Sequence, residues 1–217
     1  MFRRICAAVL AALILATAAG CADDGPRTTG GRAGGGPVPA PSPFVSGPPW
    51  YDDTAPAGAG VTVGAKGTPC ELPVTFSLPA RWTAEPVGDA AGTTLGGSRL
   101  RCEVDAKPAG NVGFLRVWAV DEGTGDVRAA LEEFLADDDR VSEIEYRRGR
   151  RGPLDLAEAT YVQADGLGGG PNRQRALAVG VPGGGTVLVT FGGMDTSEFE
   201  AMFPAYQLAT GTLRVSR

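Results

Sequence analysis

The chain has no histidine. That removes Ser-His and Cys-His nucleophile pairs and every histidine-ligated metal site. G-x-S-x-G, S-x-x-K and Walker A sequences are also missing, so neither a nucleophile elbow nor a P-loop has a motif to support it. Lysine is nearly absent, limited to Lys66 and Lys107, and the formal net charge is −5. An acidic chain offers little electrostatic attraction to a phosphate backbone, so no nucleic-acid partner is expected. The leading apolar run, residues 5–18, has 14 residues, fewer than the about 20 that a bilayer-spanning helix needs.

What is present at the start is a secretory plan. Arg3 and Arg4 precede the apolar run, and small residues lead into Cys21. Ala19-Gly20-Cys21 resembles the lipobox of bacterial lipoproteins, although Ala18 stands where leucine is usual. Cys21 is therefore the expected lipid-attachment residue, with the mature protein anchored at the outer face of the cytoplasmic membrane. Ordinary secretion is the alternative, because Ala16-Thr17-Ala18 also fits an A-x-A cleavage site.

Cysteine is scarce: Cys6 is lost with the leader and Cys21 carries lipid, leaving Cys70 and Cys102. An even pair in an oxidising compartment predicts a Cys70–Cys102 disulfide. Free thiols are the competing reading, and two cysteines without histidine make a poor metal site. No metal and no cofactor are expected.

Residues 22–66 are rich in Gly, Pro, Ala and Ser and show no helical or strand period. The organisation expected is a signal peptide over residues 1–20, a lipid-anchored Gly/Pro-rich linker over 21–66, and a globular domain over 67–217. Phe44, Trp50 and Tyr51 interrupt the linker and can serve a partner or dock back on the domain. Within the domain, Val74, Phe76 and Leu78 alternate with Thr75 and Ser77, as do Leu100, Cys102 and Val104 with Arg101, Glu103 and Asp105. That alternation points Cys102 inward. Residues 112–120 and 186–191 are apolar on both parities, so both faces of the sheet need cover. Residues 154–162 and 173–181 read as further strands, the latter with Ala176, Ala178 and Gly180 on one face. Asp126 can cap a helix whose stripe is Val127, Ala130, Leu131, Phe134 and Leu135. Thr196 or Ser197 can start a second, with Pro204 predicting a kink or a start near Phe203. The fold class is α+β, a mainly antiparallel six- or seven-stranded sheet covered by helices on both faces.

The segment Val74-Thr75-Phe76-Ser77-Leu78-Pro79-Ala80-Arg81-Trp82 resembles the opening strand and Pro–Trp turn of PsbP/Mog1-like domains, and residues 198–215 resemble their closing helix. Actinobacterial lipoproteins of the LpqN type are similar over about residues 70–215. The resemblance implies an α/β/α sandwich and a protein-binding role, and it carries over no catalytic residues.

Four further groups are candidates for chemistry. Arg147-Arg148-Gly149-Arg150-Arg151 reverses the local charge, and Gly149 and Gly152-Pro153 suggest a hairpin tip presenting four guanidinium groups to phosphates or carboxylates. The competing reading is an exposed turn paired with Glu143, Glu145, Asp155 and Glu158. Asp137-Asp138-Asp139 lacks EF-hand spacing and reads as a solvated loop, as does Asp52-Asp53. Glu85, Glu132, Glu133 and Glu158 are carboxylates that a fold could pair for hydrolysis.

The resulting expectation is a lipid-anchored extracytoplasmic binding protein of the cell envelope, a protein-interaction module with no catalysis and an envelope protein as partner. A small-molecule or wall-polymer binder is the alternative, and an envelope hydrolase the third reading. A deep polar cleft would favour ligand binding, and a shallow apolar patch would favour protein binding. Oligomeric state is left open.

Overall fold

Alternation along the chain builds two antiparallel sheets. The computed structural model describes residues 43–88, 92–120, 125–165, 168–183 and 185–217. Cys21 and the signal peptide lie outside the described residues. A small sheet has the order β1 (Val61–Val63), β2 (Val74–Leu78) and β11 (Arg214–Val215). The large sheet contains β3 (Thr83–Pro86), β4 (Thr94–Leu95), β5 (Ser98–Asp105), β6 (Gly113–Val120), β7 (Val141–Arg151), β8 (Leu154–Gln163), β9 (Asn172–Gly180) and β10 (Thr186–Gly193). Its order is β3-β5-β6-β10-β9-β8-β7, with β4 on β5.

Among the described residues the large sheet therefore has eight strands, not six or seven. Short β3 and β4 carry too little alternation to signal themselves. β7 is a charged edge strand, most of whose side chains are exposed, and such edges lack the apolar period that marks buried strands. The opening strand, Val74–Leu78, belongs to the small sheet.

The strands with two apolar faces, β6 and β10, are neighbours at the centre of the sheet, where all eight residues of β10 are buried. Residues of opposite parity feed two cores. Leu177, Val179, Val189 and Phe191 pack with Phe199, Phe203 and Tyr206 of helix α2 (Thr196–Thr212). Ala176, Ala178, Leu188 and Trp118 pack with helix α1 (Val127–Ala136). Successive strand residues point to opposite faces, so alternate residues of β9 and β10 feed the two cores.

Local chemistry sets the helix starts. The Asp126 carboxylate accepts hydrogen bonds from the backbone N–H groups of Arg128 and Ala129, and the α1 stripe is the expected one. Asp195 caps α2 by accepting from Glu198 N. Pro204 lies inside a single continuous α2, so a start near Phe203 is not observed. Between β4 and β5, Gly96 takes a positive φ of 49° and comes so near α1 that a Cβ would meet Phe134 Cα at 2.4 Å. Only glycine meets both demands.

Cys70 and Cys102 form a disulfide that joins the segment ahead of β2 to β5, and Cys102 is fully buried. The predicted linker is corrected over its second half. Trp50 is 6% exposed and β1 is a sheet strand, so the domain begins well before residue 67. No helix among the described residues is long and apolar enough to cross a membrane.

Candidate functional site

The arginine cluster lies on β7, and the strand period divides it. β7 pairs with β8 in the register Arg147↔Glu158, Arg148↔Ala157, Arg150↔Asp155 and Arg151↔Leu154, with Gly152-Pro153 as the turn. Arg147 and Arg151 therefore point to the α2 side, and Arg148 and Arg150 to the α1 side. The four guanidinium groups do not crown one tip. Arg148 Nη2 donates to the Asp126 carboxylate at 2.9 Å, which holds the Asp126 carboxyl below the usual carboxylate range. Arg150 meets Asp155 at 3.0 Å, with both side chains more than half exposed. Arg151 Nη1 donates to Gly211 O at 2.9 Å.

Arg147 has a different role. Its Nε donates to Glu158 Oε2 at 2.6 Å and its Nη1 to Asp52 Oδ2 at 2.7 Å. Glu158 Oε1 accepts from Arg175 Nη1 at 3.1 Å and from the Tyr206 hydroxyl at 2.7 Å. Arg175 is completely buried, and its Nη2 donates to Pro49 O at 3.0 Å and Trp50 O at 2.9 Å. Burial, followed by the negative charge of Glu158, pushes the Tyr206 hydroxyl well above its ordinary range. Burial opposes the charge on Arg147, but Glu158 and Asp52 outweigh it and raise its pKa.

This network holds down a strap formed by residues 43–57. The Trp50 ring lies 4.2 Å from the Arg147 guanidinium carbon and 4.8 Å from that of Arg175. Cations over an indole face are attracted by its quadrupole. Tyr51 packs on Phe203 at 5.4 Å between ring centroids, and its hydroxyl donates to Glu200 at 2.7 Å. Burial and then that carboxylate push the Tyr51 pKa up to about 12. Of the three linker aromatics, Trp50 and Tyr51 are docked on the domain while Phe44 remains 71% exposed.

The sequence reading did not single out Arg175. The available signal was its parity, since it shares a strand face with Leu177 and Val179, where an unpaired charge would be very costly.

The strap, β7 and α2 enclose an open cleft of about 410 Å³. Phe44 lines it together with Arg147, Arg151, Leu156 and Gln207, and Arg148 and Arg150, whose side chains leave the strand toward the α1 side, also border it. On the opposite face a second cleft of about 430 Å³ lies beyond the end of α1. Phe44 and Ile144 are the large apolar side chains exposed among the described residues, so no broad apolar patch is seen there.

The remaining candidates are dispersed. Asp137 accepts from Gly96 N at 2.9 Å. Asp138 accepts from Arg140 Nη2 and Gln163 Nε2, and the Arg140 bond lowers its pKa. Among the described residues no group of three or more acids and cysteines is placed to hold a metal ion. Asp52 serves the strap through Arg147, and Asp53 accepts from Gly47 N. Glu85 lies on β3, Glu132 and Glu133 on α1, and Glu158 on β8. Glu132 pairs with Arg128.

No curated protein and no solved structure matches the chain. One family does match, over residues 41–213, a span that opens just before the strap and closes at the C-cap of α2. The family boundary and the packing thus agree that the strap is part of the domain, and the chain belongs to this family, described as uncharacterised lipoprotein.

Proposed function

We propose that this protein is held at the outer face of the cytoplasmic membrane by lipid on Cys21, and that its domain binds an acidic segment of an envelope protein without catalysing a reaction. The observation that carries the reading is the arginine-walled cleft with exposed Phe44 among its lining residues. Aromatic and arginine side chains are enriched where interfaces concentrate their binding energy. Arg151, on the α2 side, makes an exposed hydrogen bond to the backbone carbonyl of Gly211, which a partner carboxylate can exchange for a stronger charge-assisted one. Glu158, the most enclosed of the four candidate hydrolytic carboxylates, is committed to two guanidinium groups and a phenol, which supports a structural role over an acid-base one.

The PsbP/Mog1-like and LpqN-type resemblance belongs to this proposal. Helices packed against opposite parities of β9 and β10 support it, as does the closing helix at the expected place. The second reading, a small-molecule or wall-polymer binder, draws on the cleft beyond α1.

Two outcomes are expected. Cys21→Ser moves the protein from the membrane fraction to the culture medium, because stable anchoring needs the acyl chains; wild type and variant both appearing in the medium would refute the anchor. Arg150→Ser with Arg151→Ser keeps the melting temperature within a few degrees, since only exposed contacts are lost. The same pair of changes weakens capture of acidic partners in crosslinking, and added salt weakens the wild-type contact as well. Unchanged capture with an intact fold would return these arginines to surface charge balance.

A further inference from the structure

Helix α1 covers only part of its sheet face. Its apolar stripe packs with Ala157 and Ala159 of β8, Ala176 and Ala178 of β9, and Leu188 of β10. One step further along these strands the face becomes polar. Thr190 follows Leu188, Gln174 precedes Ala176, and Tyr161 follows Ala159. In register, Gln174 stands between Tyr161 on β8 and Gly192 on β10. These residues line the cleft of about 430 Å³, which is bounded by residues 93–95 and by the turn after α1. Its size is within the range of roughly 300–1,000 Å³ usual for small-ligand sites.

The polar groups are enclosed and held in place. Gln174 and Thr190 are each 6% exposed and Tyr161 is 4% exposed. Trp118 Nε1 donates to Thr190 Oγ1 at 3.2 Å, and the Tyr161 hydroxyl donates to Gln174 Oε1 at 3.3 Å. Gln174 Nε2 donates to Asn172 Oδ1 at 3.2 Å, and Asn172 Nδ2 donates to Gly193 O at 2.8 Å. A hydroxyl both donates and accepts, and an amide nitrogen carries two hydrogens. Among the described residues, the Thr190 hydrogen, the second Gln174 amide hydrogen and a Tyr161 lone pair are therefore left over. All three are neutral. Both arginines of the cleft already hold carboxylates, Arg116 with Glu103 and Arg140 with Asp138, each at 2.8 Å.

We propose that this cleft binds a neutral, polyhydroxylated ligand, a saccharide unit of the cell envelope. Sugar hydroxyls donate and accept in the same way as the groups left over here, and Phe114 and Trp118 supply apolar contact for a ring's C–H edge. With its arginines compensated and Asp137, Asp138 and Asp139 on its wall, the cleft disfavours an anion. The inference deepens the wall-polymer reading and does not depend on the arginine face.

The test is a titration of the purified, ¹⁵N-labelled full chain with mannobiose, maltotriose and diacetylchitobiose, with glucose 6-phosphate as the anionic control. At least one neutral sugar is expected to shift the Trp118 indole N–H and the Gln174 side-chain amide saturably. A Cβ at Gly192 would lie 2.9 Å from Gln174 Cδ and Oε1, so Gly192→Ala displaces this amide from its place between Tyr161 and Asn172. It should weaken that sugar's binding by about tenfold or more, the worth of one to two hydrogen bonds. Tyr161→Phe keeps the ring and should weaken binding about threefold to tenfold. Arg150→Ser with Arg151→Ser should leave it unchanged. No saturable shift at millimolar sugar, shifts confined to the α2 face, or undiminished binding in both cleft variants would overturn the proposal. Shifts at these same residues with glucose 6-phosphate alone would overturn the neutral-sugar class while leaving the cleft a binding site.

Discussion

Glu158→Gln is expected to lower the free energy of unfolding by roughly 3–5 kcal/mol, the usual cost of breaking a buried ion pair from one side. The carboxylate bridges Arg147 and Arg175 and accepts from Tyr206. Arg175 is completely buried and Glu158 is 12% exposed, so neither charge is well solvated. Glutamine has nearly the same shape but places an N–H₂ donor among groups that are themselves donors. Two guanidinium charges then lack their shared counter-charge, and Asp52 remains for Arg147 alone. The strap should loosen as part of the same change, because Arg175 and Arg147 both hold it. Urea unfolding measures the loss, and proteolysis near residues 43–57 reports the strap. Replacing both partners, Glu158→Leu with Arg175→Met, should cost less than the sum of the single changes, since no charge is stranded. A loss below about 1 kcal/mol for Glu158→Gln would put the network in the class of exposed pairs and overturn this account of the strap.

Removing the Cys70–Cys102 bridge with two alanines should cost roughly 3–4 kcal/mol, from the chain-entropy value of a closed loop of this length. The two cysteines are 32 residues apart, so the unfolded chain gains considerable freedom when the bond is lost. In the native state the bond connects the segment leading to β2 with β5, joining the small sheet to the large one. Reductant added to the wild-type protein should shift its urea midpoint to that of the double variant, because both leave the same open loop. Equal midpoints for wild type and variant, or two freely alkylated thiols in the unreduced native protein, would refute the bridge as a stabilising element.

How well each feature was legible in the sequence follows the range of the interaction behind it. The α1 cap and stripe need only neighbours within a few residues, and Asp126 with Val127, Ala130, Leu131, Phe134 and Leu135 appear as read. The strands at residues 112–120 and 186–191 are apolar on both parities in the sequence, and the structure places them side by side inside the large sheet. β7 was missed because its residues respond to solvent and to charges on β8, neither of which imposes an apolar period. The strap was taken for a linker because Gly- and Pro-rich composition reports low intrinsic order. What orders it lies 95 to 156 residues away, in Arg147, Arg175 and Gln207 of α2.

By itself, the sequence determined the α+β class, the inward Cys102, the α1 cap and stripe, the acidic balance and the absence of histidine chemistry. These rest on residue identity and short-range period, both of which are written in order along the chain. Only the tertiary structure decided that four consecutive-looking arginines serve two opposite faces, that Arg175 is a buried cation under Trp50, and that polar residues from β6, β8, β9 and β10 meet in one cleft. Strand register and helix coverage bring those groups together, and both are properties of segments far apart in sequence.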